Sequence, residues 1–227
     1  GESSVAEEIE DMFDAKNPTV APYAKSGEVR LRITAKAETA DEADKMCAPV
    51  VDEICSRLGD VVYGTDMNSI EERVVALLKE KGKKIATAES CTAGYIPKRL
   101  TDIPGASEVF ECGIVSYSND IKTKLLGVSL KTLDTYGAVS EQTAREMALG
   151  AKRVSGADIA ISTTGLAGPG GDGVLPGGLS FAAVTDGERT VVEKIVTGHE
   201  NDREYNRYVT ASRALNLVRL MLEEKIK

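Results

Sequence analysis

Ala86-Thr-Ala-Glu-Ser-Cys-Thr-Ala-Gly-Tyr95 is the stretch on which the rest of the chain turns. A β-prone run, Lys84-Ile-Ala-Thr-Ala88, delivers the chain to Glu89-Ser90-Cys91-Thr92, and a helical pattern opens immediately afterwards. Serine and threonine at such a junction are good N-cap residues, because their oxygens accept from unpaired N–H groups of the first helical turn. The same position also sets the Ser90 hydroxyl at a helix N-terminus, where N–H groups and the helix dipole can stabilise an oxyanion. A serine becomes a nucleophile only with a base beside it, so the junction alone leaves both readings open.

On either side of this junction, strands and helices alternate. Ser69 followed by Glu71 and Glu72 predicts a helix start, and Gly82 ends that helix. After the Ser90 junction a helix runs to about Leu100, Asp102–Ala106 turns, and Glu111–Ser118 reads as a strand ending in polar residues. Asn119-Asp-Ile-Lys-Thr-Lys124 opens another helix, which sets Tyr117 and Lys122 at or just past a second strand's C-terminal end. Ser140 starts an amphipathic helix to about Val154, and a strand over Ala157–Thr164 leads into the glycine-rich Gly165–Gly173 segment. Strands Leu179–Thr185 and Arg189–Ile195 flank an Asp186-Gly187 turn, and Asn201–Lys225 closes the chain as a long helix. This order predicts an α/β fold, a three-layer mixed sheet with helices on both faces. Ligands in such sheets collect beyond the strand C-terminal ends, where Ser90, Tyr117, Lys122 and the glycine loop all map.

The region before Thr65–Ser69 differs in character. Residues 1–68 hold 15 acidic and 7 basic residues, the whole net charge of −8, whereas residues 69–227 hold 21 of each. Ser3–Ala15 has helical spacing at Val5, Ile9, Met12 and Phe13, and Asn17-Pro18 stops it. Ala21–Gly27 reads as a loop entering a half-buried strand, Glu28–Ala37. An acidic amphipathic helix over Thr39–Leu58 and a short strand over Val61–Tyr63 follow. Residues 1–64 are therefore expected to form a small α+β module without a cluster of catalytic residue types, and residues 69–227 a separate α/β domain.

Composition removes several function classes. The acidic balance argues against a nucleic-acid surface, which needs a basic face. No apolar run approaches a membrane span and there is no secretory-type leader, so no membrane partner and a cytoplasmic protein are expected. Because the chain opens on Gly1 instead of Met, upstream sequence is expected to be missing. Cys47, Cys55, Cys91 and Cys112 show no CxxC spacing and read as reduced core thiols. Only one histidine, His199, is present, which excludes a multi-histidine zinc site; no metal site is expected.

The remaining candidates each have two readings. The Gly165–Gly173 segment is either a flexible connection or a backbone wall that approaches a ligand closely; it is neither a GxGxxG opening a helix nor a P-loop. Lys122 is either a solvated helix lysine or a base whose pKa burial has lowered.

Ala88-Glu-Ser-Cys-Thr-Ala-Gly94, Thr101-Asp-Ile-Pro-Gly-Ala106, Tyr117-Ser-Asn-Asp-Ile-Lys122 with Leu126-Gly-Val128, Gly137-Ala-Val-Ser-Glu141 and Gly165-Leu-Ala-Gly-Pro169 occur in this order. Together they resemble the C-terminal domain of the CinA (competence/damage-inducible protein A) family, and residues 1–64 resemble the KH-like module that precedes it. The resemblance implies nicotinamide-nucleotide amidase activity, converting nicotinamide mononucleotide to nicotinic acid mononucleotide and ammonia. It implies Ser90 as nucleophile, Lys122 as general base, and Tyr117 and Thr92 as support for the hydroxyl network. It further implies a pocket wall of Gly165, Ala167, Gly168 and Pro169. Arg203 and Arg207 are candidate phosphate partners, since guanidinium forks match phosphate oxygens, or else surface helix arginines. The chemistry requires no metal or organic cofactor; the expected partner is a small nucleotide substrate, and a homodimer is the default assembly. Where the family commonly has Thr-Gly-Gly, this chain has Thr92-Ala93-Gly94, and Leu175–Ser180 replaces a Pro-Val-Gly-Thr-like segment. Two alternatives stand beside the amidase. One is a catalytically silent ligand-binding or assembly domain. In the other the main chemistry, nucleotide pyrophosphate hydrolysis, lies in an N-terminal domain absent here.

Overall fold

Residues 2–25 and 27–226 are described in the computed structural model, and the chain divides into two units, Gly1–Thr65 and Asp66–Lys227. In the first, α1 (Glu2–Glu8) and a 3-10 turn (Glu10–Met12) precede β1 (Thr19–Lys25), β2 (Glu28–Thr34) and α2 (Ala40–Leu58). Thr39 caps α2 in a reciprocal box with Glu42, each side chain bonding the other's backbone N–H. Ile9, Val20 and Ile54 form the core, with Phe13, Leu31 and Ile33 packed against it.

The helix expected over Ser3–Ala15 is broken after Glu8, and two strand readings fail in this unit. The segment read as a loop over Ala21–Gly27 is largely strand β1, paired antiparallel to β2 from Thr19↔Thr34 to Lys25↔Glu28; Ser26 lies outside the described residues. Pro22 disguised it, but a two-stranded sheet consists of edges, where proline's missing N–H is tolerated. Val61–Tyr63 is not a strand: the chain passes through a 3-10 turn, Gly59–Val61, and then irregular backbone.

The second unit is built on a five-stranded sheet in the order β4-β3-β5-β6-β7. Its strands are β3 (Ile85–Glu89), β4 (Phe110–Val115), β5 (Ile159–Leu166), β6 (Leu179–Thr185) and β7 (Thr190–Val196). β3 is parallel to both neighbours, while β6 and β7 add antiparallel. α3 (Ile70–Glu80), α4 (Tyr95–Thr101) and α8 (Arg203–Leu222) pack together on one face. α7 (Glu141–Ser155) covers the other, with α5 (Asn119–Leu126) and α6 (Leu130–Tyr136) behind it. The result is the expected three-layer mixed α/β arrangement. Helix α6 carries no long apolar pattern and was not anticipated. Because β3 is central and covered on both faces, all five of its residues are buried. The parallel trio β4-β3-β5 ends on one side, bringing Ser90, Ser116-Tyr117 and the loop after Leu166 together.

Candidate active site

Ser90 is the first residue beyond β3, and its N–H still donates to Thr163 O of β5, at 2.9 Å. The expected helix does not open there. Ala93 (φ 50) and Gly94 (φ 88) take left-handed backbone, so residues 90–94 form an irregular turn and α4 starts only at Tyr95. The Ser90 hydroxyl is therefore not an N-cap. Gly94 occupies the cap position and has no side chain to offer. Ala93 bears the conformation that a glycine would adopt freely.

Lys122 reaches the same point from α5. Ser118 caps that helix by accepting from Ile121 N–H, which directs Lys122 inward, where it is 1% exposed. Its Nζ lies 3.0 Å from Ser90 Oγ, 2.9 Å from Ser116 O and 3.3 Å from Tyr117 O. None of these partners is a carboxylate. Burial pulls the Lys122 pKa below the ordinary lysine value, with Cys91 nearby as a smaller opposing influence. A neutral amine has two protons and one lone pair. In that state two carbonyl acceptors take the protons and the lone pair is left for the serine hydroxyl, whereas a protonated Nζ donates to all three oxygens.

Thr92 and Tyr117 are held elsewhere. The Thr92 hydroxyl is 2.6 Å from that of Thr163, fully buried. Tyr117 lends its backbone carbonyl to Lys122, but its ring is 61% exposed and its hydroxyl accepts from Arg203 at 3.4 Å. Neither hydroxyl bonds Ser90 in this structure.

A cleft of about 320 Å³ opens over the pair. Ser90, Lys122 and Tyr117 line it, as do Gly165, Ala167, Gly168, Pro169 and Arg203. Asn119, Ala138, Val139 and Thr164 join them. The first three sit within motifs already noted, but nothing in their spacing singles them out. Arg203 donates to Gly168 O at 2.7 Å and reaches the cleft; Arg207 does not line it, donating instead to Thr92 O at 2.8 Å and lying over the Tyr95 ring. Cys91 also lines the cleft, but burial pushes its thiol up to about 12, so it is a poor nucleophile at neutral pH.

The glycine loop is a packed wall rather than a loose connection. A Cβ on Gly165 would stand 2.4 Å from Ser180 Cβ, and one on Gly171 would stand 1.9 Å from Leu175 O. These glycines are required first by neighbouring chain, which brings backbone to the cleft edge.

Fold and site together define an α/β protein with a buried serine–lysine pair at the carboxyl ends of three parallel strands. The chain belongs to the CinA family. The model of the CinA C-terminal domain matches residues 67–222, and that of the damage-inducible protein CinA KH domain matches residues 1–64. A CinA-like protein of Desulfovibrio desulfuricans is 45% identical over 221 residues, which cover 96% of this chain and 52% of that protein. A CinA-like protein of Kosmotoga olearia is 45% identical over 224 residues, covering 98% and 54%. The chain thus spans about half the length of these curated relatives. The crystal structure of the competence/damage inducible protein CihA from Agrobacterium tumefaciens superposes with a TM-score of 0.65 at 38% identity, covering 70% of this chain and 99% of that one. A CinA superfamily protein from Escherichia coli gives 0.62 at 29% identity, covering 72% and 98%.

Proposed function

We propose that the Asp66–Lys227 unit is an amidohydrolase that deamidates nicotinamide mononucleotide, with Ser90 as nucleophile and Lys122 as general base. The observation that carries this reading is the 3.0 Å approach of Lys122 Nζ to Ser90 Oγ in a site where burial favours the neutral amine. As Ser90 Oγ bonds to the carboxamide carbon, its proton passes to Lys122. The electron pair displaced onto the carboxamide oxygen is met by backbone N–H groups of the 90–94 turn, since the helix terminus lies farther on. Collapse of the tetrahedral adduct breaks the C–N bond, and Lys122 returns the proton to the departing nitrogen, which leaves as ammonia. Water then attacks the ester, giving one proton to Lys122; that proton restores the Ser90 hydroxyl as the carboxylic acid product leaves and ionises in solvent. Arg203 at the cleft edge supplies a cation for the nucleotide phosphate.

Incubation of the chain with nicotinamide mononucleotide tests this directly. Equal amounts of ammonia and of a product one dalton heavier are expected by mass spectrometry. A substrate that binds and is recovered unchanged overturns the amidase reading in favour of a ligand-binding domain.

A further inference from the structure

The most deeply buried ionisable group beside the pair has no part in the chemistry above. Glu89, the last residue of β3, is 0% exposed, as are Thr87, Thr92 and Thr163 around it. Its Oε1 accepts from Thr87 Oγ1 at 3.4 Å and its Oε2 from the Ile96 N–H at 3.2 Å. One donor lies on the strand and the other in the first turn of α4, so the chain from Ser90 to Tyr95 runs between two contacts of one side chain.

The arrangement answers a local need. Helix α4 begins after a glycine, which offers no capping oxygen, so its first N–H groups need an acceptor from elsewhere. The turn contains two successive left-handed residues, Ala93 and Gly94, a backbone that persists only when its surroundings hold it. Main-chain bonds fix the strand side of the turn: Ser90 N–H to Thr163 O and Ser116 N–H to Glu89 O, at 2.9 and 2.8 Å. The carboxylate fixes the helix side. We infer that Glu89 is a positioning residue that holds the Ser90 turn closed by capping α4 across it, and so keeps the Ser90 hydroxyl at Lys122. This rests on the serine–lysine reading of the site.

What matters on this view is reach and hydrogen-bond acceptance. Gln preserves reach and offers a carbonyl oxygen to the Ile96 N–H. Asp preserves the charge but withdraws it by one methylene. The full chain carrying Glu89→Gln, Glu89→Asp or Glu89→Ala is compared with the parent by three readouts: exchange protection of the Ile96 amide, the rate of Ser90 labelling by a fluorophosphonate probe located by peptide mass, and steady-state deamidation. Gln is expected to stay within about fivefold of the parent in labelling and kcat. Asp is expected to lose Ile96 protection and fall by about 100-fold in labelling and kcat, with KM within about threefold, as misplacement of a reacting group by an ångström does. Ala adds the same loss where it folds, and the Asp variant decides the matter where it does not.

Active Asp with inactive Gln would overturn the inference, because charge rather than reach would then be required. Unchanged labelling in Asp would overturn it as well. A parent that labels at Ser90 without deamidating the mononucleotide would sink the substrate assignment and leave the labelling comparison to decide the role of Glu89. A parent that neither labels nor turns over would overturn both.

Discussion

Lys122 Nζ and Ser90 Oγ stand 3.0 Å apart although 32 residues separate them in sequence. The adjacency of parallel strands β3 and β4 creates that contact: one chain end delivers the serine, the other delivers two carbonyls and the helix bearing the lysine. Burial then lowers the lysine's pKa below its value in water, the direction that favours the neutral amine.

The first prediction concerns pH. Deamidation should require neutral Lys122, so kcat/KM should rise with pH and level off at a value below the ordinary lysine pKa of 10.5. Stability should move with it. Between the lowered folded value and 10.5, the unfolded chain holds a proton that the folded chain has shed, so stability rises with pH across that window. Lys122→Met removes both the activity and this rise; denaturant midpoints measured from pH 7 to 10 would show whether the slope disappears.

Ala93 should be replaceable with gain. At φ 50 its side chain costs about 1 kcal/mol that glycine avoids. Ala93→Gly is expected to raise the melting midpoint by about 2–4 °C in a domain of this size. An unchanged or lower midpoint in a calorimetric scan would refute the strain.

The two arginines of α8 should separate by phenotype. Arg203 lines the cleft and is exposed, so Arg203→Ala should raise KM for a phosphate-bearing substrate about tenfold with little change in kcat, the loss of one charge-assisted bond near the surface. Arg207 bonds Thr92 O beneath the Ser90 turn, so Arg207→Ala should lower the melting midpoint as well as kcat. Steady-state kinetics with parallel thermal scans would reveal any reversal of the two.

Gly165→Ala should destabilise rather than merely narrow the cleft. Its methyl would meet Ser180 and Leu179 O at 2.4 and 2.7 Å across the β5–β6 ladder. Overpacking of this kind costs about 1–3 kcal/mol, readable from urea midpoints.

Much of this was legible in the sequence where chemistry is local. Ser69 and Ser140 mark their helices because a hydroxyl before an apolar-periodic run has one dominant use, and both accept from the N–H three residues on. Leu179–Thr185 reads as a strand and is β6. Ser90 misleads by the same rule: the two left-handed residues that delay α4 include an alanine, which carries no sign of that conformation in sequence. Strand β1 hides behind Pro22, and α6 is too short to show a period. The candidacy of Ser90 and Lys122 follows from their motifs, but their contact and the depth of Lys122 depend on which strands lie side by side. The diversion of Thr92 and Tyr117 to other partners has no local signature at all.

Ammonia release from nicotinamide mononucleotide by the parent, Ser90→Ala and Lys122→Ala, with folding checked by circular dichroism, tests the serine–lysine mechanism most directly. Folded variants should both lose roughly 10³-fold or more in kcat, as groups that act as a unit do. Turnover that survives Ser90→Ala would contradict the nucleophile, and turnover that survives Lys122→Ala alone would contradict the base.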